Sequence, residues 1–578
     1  MRSVNHFCSP LSIAVTRSLP SKSVSHAYFS SSKLQRRLGK DMLDVHDSKH
    51  PFYNPTFGRW LYNEKKRLAE RHLYFDVDRL CTIVAETVGQ TPNDILRFTK
   101  VAEGGSYRVF DVLFKNQRNV IVRLPYPCTV PRGYGVASEI ATIEYLRLKG
   151  LPIPQVLSWS STASNSLGCE YIIMDKAQGK PLDEIWYTMS REKRKSLVEK
   201  IVDIETVLFK IQFPTSGSLY FKKSLPQDVK TVDLPDDSRF CMGPSTGIWW
   251  WYHRRDELQV NRGPWISTLD MLNAIGQREL EWLQKFGKPR YPREPLYREL
   301  YGKKRVDPQG QIDNLQNYLK IAPYIVPARE DWNRPTIRHP DLSPSNIFID
   351  EAGDNITSVI DWERTVICPM FMQARVPAHF QNFGDEASES FQFPALPEDF
   401  ESLSESEKEQ EMERYRRRQL HYYYLGFTSR ANQDLFRAMG TPSHTLRNQT
   451  IDAASHPWEG DNTSLKAQLI NLSINWPEMN IPSHLLPKPI EFPVKFREAE
   501  IKSTLAINEE QKSADAEMQV FRDHFNCNID GWVPAGIYDE AKRKVDEMKA
   551  HMLQIAETEE ERQDIDENWP FQDHEEVL

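Results

Sequence analysis

Apolar and polar positions change their rhythm several times along this chain, and the changes divide it. Residues 41–98 read as a helical lead-in: Trp60, Leu61 and Leu68 precede a periodic stretch from Phe75 to Val88. From Phe98 to about Asp175 the pattern becomes short β-rich runs. Arg108–Phe114, Asn119–Leu124 and Glu170–Met174 are separated by turn residues and by one helix, Ala137–Lys149. That order predicts a small antiparallel sheet with one packed helix. Beyond about residue 180 the pattern is mainly helical, interrupted at 337–361 by two short strands. The charged run Glu405–Arg418 predicts an exposed helix face. Ala541, Val545, Met548, Met552 and Ile555 recur at helical spacing, so a final amphipathic helix is expected, followed by a solvated acidic end, Glu557–Glu567. The chain therefore divides into a leader (1–40), a helical N-terminal extension (41–98), a β-rich lobe (99–178), a helical lobe (179–500) and a C-terminal helical tail (501–578).

Composition excludes more than it identifies. A hydrophobic content of 39% and a charged content of 27% are those of a globular chain. The formal net charge of −8 argues against a nucleic-acid partner, which needs clustered Lys and Arg. No apolar run approaches the length of a membrane span. The seven cysteines are odd in number, scattered and without a C-x-x-C pair, which fits a reducing compartment. The leader stands apart: Arg2, Arg17, Lys22, Lys33, Arg36, Arg37 and Lys40 occur before the first acid, Asp41, among many serines. That is the composition of a mitochondrial transit peptide, with processing expected near Phe29–Ser32 and the matrix as destination.

Chemistry concentrates in Ile337–Glu363. His339-Pro340-Asp341-Leu342-Ser343-Pro344-Ser345-Asn346 is a loop in which two prolines prevent a continuous helix. The apolar runs Ile347–Ile349 and Val359–Ile360 flank a polar turn and predict a hairpin. Such a hairpin returns Asp361 to the side of Asn346. Mg²⁺ takes hard oxygen ligands, and Asn346 and Asp361 supply them. Asp341 is then free to orient an acceptor hydroxyl, which is what phosphoryl transfer asks of a protein.

Upstream, Gly104-Gly105-Ser106 is a turn between two strands whose backbone can approach phosphates closely. Arg123 places a cation in the apolar run Val120–Leu124, a costly arrangement unless paired. Glu139 is its expected partner, because it shares a helix stripe with Ile143 and Leu146. For an acceptor, the cluster of Trp250, Arg254, Arg255 and Arg262 suggests an anionic or planar metabolite, set against a plainer reading as an aromatic core with outward arginines.

The motif H-x-D-x-x-x-x-N at His339–Asn346, followed by Ile360-Asp361-Trp362-Glu363, resembles the aminoglycoside phosphotransferase and choline kinase branch of the protein-kinase-like superfamily. Ala102–Phe110, Arg123-Leu124-Pro125-Tyr126-Pro127, Ala137–Thr142 and the catalytic loop are in turn similar to the fungal family named altered inheritance of mitochondria protein 9. The resemblance implies a bilobal α+β fold and an ATP- and Mg²⁺-dependent kinase acting on a small-molecule alcohol. It implies Asp341 as the catalytic residue, Gly104, Gly105, Ser106, Arg123 and Glu139 on the phosphates, and backbone groups near Asp175 and Ala177 on the adenine. The family's strand lysine is Arg123 here, and Arg and Lys are not interchangeable. A non-catalytic nucleotide-binding scaffold is the alternative.

Overall fold

In the computed structural model, residues 47–479 and 491–574 are described; the basic leader lies outside them. The smaller lobe is a five-stranded antiparallel sheet in the order Ile95–Glu103, Tyr107–Phe114, Asn119–Pro125, Tyr171–Asp175, Val156–Ser160. Strand parity explains its two faces. Val120, Val122 and Leu124 point one way and are fully buried with Leu80, Val84, Phe110 and Phe114. Ile121 and Arg123 alternate with them and point the other way, toward the core that contains Ile140, Ile143 and Leu146 of the helix Tyr134–Leu148. Each fully buried Leu or Val contributes about 1.5–3 kcal/mol, so this parity is fixed.

The extension is less helical than expected. Its helices are Glu64–Arg71 and Val77–Thr87, the second capped by Asp76. Before them, Gly58–Trp60 is a strand that pairs antiparallel with Trp532–Pro534 near the other end of the chain. Leu61 packs there with Phe525, Val533, Val545 and Phe571. The sheet itself begins at Ile95, and the strands Ile95–Glu103 and Val156–Ser160 escape the sequence pattern because they lie at the edges, half-exposed and interrupted by register shifts.

The helical lobe is organised around two neighbouring pairs of short strands. Pro335–Ile337 pairs with Ile367–Pro369, and Ile347–Ile349 pairs with Ile356–Val359. The loop after the first strand and the loop before the last are thereby brought to the same end. Lys180–Pro181 adds to Phe348–Ile349. Gly179 precedes it at φ 89°, where a Cβ would lie 2.0 Å from the Ile349 carbonyl, so only glycine fits.

Glu405–Ala431 is one helix whose charged first half is exposed mainly at residues 405–410 and largely half-buried over 411–418. Its second half buries Leu420, Tyr423, Tyr424 and Phe427 beside the helix Arg191–Lys210. A second core is built from Thr268–Phe286, Gln309–Ile325, Pro442–Ser455 and Ser464–Ile474. The last amphipathic helix spans Tyr538–Ile555, but only Ala541 and Val545 are fully buried; Met552 and Ile555 are exposed. Among the described residues, no helix is long and apolar enough to cross a membrane. The result is a bilobal α+β fold whose lobes meet at Arg123, Glu139 and the loops on either side of the Ile347–Val359 hairpin.

Candidate active site

Arg338 fixes the loop from beneath. Its guanidinium is buried, pairs with Glu205 at 2.8 Å and donates to the Tyr424 hydroxyl at 2.9 Å; that hydroxyl donates in turn to Glu205 at 2.7 Å. Two further donations reach the carbonyls of Gln373 and Arg375. His339 then ties the loop to the hairpin. Nε2 lies 2.9 Å from the Ile360 carbonyl and so donates, while Nδ1 accepts from the Asp341 amide at 3.1 Å. Both bonds are made by the neutral ring. Burial lowers the His339 pKa to about 4, against the pull of Asp361.

Asp341 emerges from this support half-exposed. Asn346 Nδ2 donates to its backbone carbonyl at 2.9 Å and to its carboxylate at 3.3 Å, and Ser343 donates at 3.3 Å. Burial raises the Asp341 pKa, and Asp361 raises it further. The observed hairpin is the predicted one, with Ile347 opposite Val359. Asp361 stands at its end at φ 68°, a left-handed conformation uncommon for a residue with a Cβ.

The smaller lobe meets these groups through Arg123. It forms the expected ion pair with Glu139, whose carboxylate also accepts from the Tyr107 hydroxyl at 2.8 Å. The Tyr107 ring lies 4.2 Å from the guanidinium. The same arginine reaches Asp361 at 3.1 Å and Glu363 at 3.9 Å. Burial works against its charge, but Glu139 and Asp361 outweigh it and push the Arg123 pKa up. Glu139 is wholly buried, and its pKa is raised by burial despite Arg123.

The glycine turn is closed at one residue and open at the next. Gly104 N–H donates to the Tyr107 carbonyl at 2.9 Å, whereas a Cβ at Gly105 would meet nothing within 4 Å. Ser106 is buried and donates to Glu363 Oε1 at 3.0 Å across the cleft. Burial, and then Asp361, raise the Glu363 pKa to about 7. Asp175 ends its strand paired with Arg118 at 2.6 Å, and Met174 is part of the core. The backbone of Ala177 has no hydrogen-bond partner among the described residues, leaving a donor and an acceptor at the lobe junction.

Magnesium fits the oxygen set. The amide nitrogen of Asn346 is taken by Asp341, so its carbonyl oxygen is the free end, and only one Asp361 oxygen engages Arg123. Oxygens from one amide and one carboxylate suit a hard cation that also keeps waters and phosphate.

The four residues weighed as an acceptor cluster all have protein partners. Arg255 is fully buried and ion-paired with Glu279 at 2.5 Å, which also binds Arg278 at 2.7 Å. Trp250 is buried against Trp265. Arg262 donates to the carbonyls of Trp250 at 3.2 Å and Leu258 at 3.1 Å. Arg254 pairs with Glu257 at 2.8 Å and covers Phe286. Trp250, Arg255 and Arg262 are engaged in packing within the helical lobe, whereas the Arg254–Glu257 pair lies at its surface. Their carboxylate and carbonyl partners are not recognisable from the local residue pattern. Sequence reasoning also missed Ser106–Glu363 and Arg364, because contacts across a cleft leave no periodic signal.

Residues 97–372 match the family model described as phosphotransferase enzyme family. A subtelomeric hrmA-associated cluster protein of Aspergillus fumigatus is 29% identical over 82% of this chain and 96% of its own length. Altered inheritance of mitochondria protein 9, mitochondrial, of Kluyveromyces lactis is 22% identical over 84% of this chain and 88% of its own. A solved streptomycin–ATP complex of the aminoglycoside phosphotransferase APH(2")-IIa aligns with 71% of this chain and 100% of that one, at 14% identity and a TM-score of 0.34. The H-x-D-x-x-x-x-N loop, its hairpin and the paired strand arginine all lie inside residues 97–372, the segment that matches the phosphotransferase enzyme family model.

Proposed function

We propose that this protein is a mitochondrial phosphotransferase that moves the γ-phosphoryl group of ATP to a hydroxyl of a small molecule. The observation that carries the reading is the meeting of Asp341, Asn346 and Asp361 with the Arg123–Glu139 pair at one lobe junction. ATP would lie with its adenine against the Ala177 backbone and its phosphates beside Gly105. Asn346 and Asp361 would hold magnesium, which neutralises phosphate charge when bound. Asp341 accepts the hydrogen bond of the acceptor hydroxyl and aims it at the γ-phosphorus. As the new O–P bond forms and the bond to ADP breaks, the hydroxyl proton passes to Asp341, whose raised pKa suits that late transfer. The basic, acid-free leader and the names of the mitochondrial relatives support the location.

One observation favours a second reading, a nucleotide-binding scaffold without turnover: Arg123 lies 3.1 Å from Asp361, where it competes for a metal-binding carboxylate. Purified full-length protein, titrated with ATP and Mg²⁺ and then incubated with a mitochondrial metabolite extract, separates the two. A phosphorylated product that vanishes in Asp361→Ala supports the kinase. Binding without any product supports the scaffold.

A further inference from the structure

Between the strands Ile356–Val359 and Ile367–Pro369 the chain turns sharply, and two residues carry the turn. Asp361 and Arg364 sit at φ 68° and 55°. Such conformations are strained in a residue with a Cβ and persist where the surroundings enforce them. The enforcement is visible. Trp362 is fully buried and donates to the Val359 carbonyl at 3.1 Å, and Thr365 donates back to the Trp362 carbonyl at 2.7 Å. With Trp362 locked inward, Asp361, Glu363 and Arg364 all reach partners of the smaller lobe.

Two arginines therefore stand near the glycine turn, and they are committed differently. Arg123 faces three carboxylates, Glu139, Asp361 and Glu363, within 3.9 Å. Arg364 forms no ion pair within 4.0 Å with any described residue. Its one hydrogen bond goes from Nη2 to the Ser106 hydroxyl at 2.8 Å, and its Nε is buried without a partner.

Exchange energetics distinguish the two. A phosphate that recruits Arg123 replaces a carboxylate with another anion and leaves Glu139 or Asp361 uncompensated. A phosphate that recruits Arg364 replaces a neutral hydroxyl with a charged oxygen, and charge-assisted bonds are roughly twice as strong as neutral ones. The hydroxyl in question belongs to buried Ser106, which follows the open Gly105 in the turn.

We propose that Arg364 is the cation that binds the nucleotide phosphates, while Arg123 positions the carboxylates of the cleft. This rests on the reading of the site as a nucleotide site and assigns the phosphate role within it. Arg364 swings from Ser106 to a phosphate oxygen of a nucleoside triphosphate and presents its fork there.

Calorimetric titration of the full chain with adenosine, ADP and ATP in constant Mg²⁺ tests it. In Arg364→Gln the ATP dissociation constant should rise about tenfold or more, with adenosine affinity and the unliganded melting temperature unchanged. Arg364→Lys, which keeps the charge and loses the fork, should fall between the two and provides a check should Arg364→Gln fold poorly. Unchanged ATP affinity in Arg364→Gln overturns the assignment. So does an equal loss for adenosine and ATP, which would make Arg364 a shaper of the cleft. Failure of the unmodified protein to bind either ligand would instead overturn the nucleotide reading beneath it.

Discussion

Two regions of this molecule look alike in sequence and differ in structure. The loop around Asp341 and the segment from Trp249 to Trp265 both gather charged and aromatic residues in a short span. In the first, the polar groups are held by neighbours that leave an oxygen free: Asn346 donates to Asp341, and His339 braces the loop from the ring side. In the second, every arginine finds a saturating partner: Arg255 with Glu279, Arg254 with Glu257, Arg262 with main-chain carbonyls. A cluster of polar residues is a site only when its partners leave valence unspent. Whether they do depends on residues elsewhere in the chain, and Glu279 is one of them.

The difference can be broken from either side. Asp341→Asn should lower turnover by about 10²–10⁴-fold while the melting temperature and ATP affinity hold. Equal ATP consumption in the two proteins would remove Asp341 from its role. Arg255→Ala should behave in the opposite way. It removes one of the two arginines that compensate buried Glu279, leaving Arg278 alone, and should cost about 1.5–3 kcal/mol of stability in chemical denaturation, with the turnover of the folded fraction retained. A catalytic defect without lost stability would return Arg255 to the acceptor site. Arg338→Ala joins the two classes, since it uncovers buried Glu205 beneath the active loop; both stability and turnover should fall.

A smaller effect lies in the pH dependence. Glu363 titrates near 7 when folded, against an ordinary value of 4.5, so the folded state holds the extra proton between those values. Stability from this group is therefore greatest at low pH and declines as pH rises from about 4.5 to about 7. His339, lowered to about 4 from 6.5, acts in the reverse sense: its contribution is present above 6.5 and is lost as pH falls toward 4. In Glu363→Gln the downward slope should disappear from melting curves taken across pH 5–7, leaving the rise due to His339. An unaltered profile would mean that Glu363 ionises normally. Least of all, Arg254→Ala should leave melting and turnover unchanged, since its pair with Glu257 is open to solvent.

The sequence by itself determined what is local or periodic. Alternation in Val120–Leu124 set the face on which Arg123 lies, and the helix stripe of Glu139, Ile143 and Leu146 chose its partner. The turn between two apolar runs determined the hairpin that carries Asp361 beside Asn346. Both follow from side-chain periods of 2 and 3.6, which are properties of the backbone. Tertiary structure alone decided the rest. The pairing of Gly58–Trp60 with Trp532–Pro534 joins segments far apart in the chain, and three-residue strands carry no readable pattern. The half-exposed edge strands lack the alternation that burial imposes. The reach of Arg123 to Asp361, the tie from Ser106 to Glu363 and the freedom of Arg364 depend on how closely two lobes approach. Burial of a charge, and hence its partner and its pKa, is a property of the assembled surface and not of any run of residues.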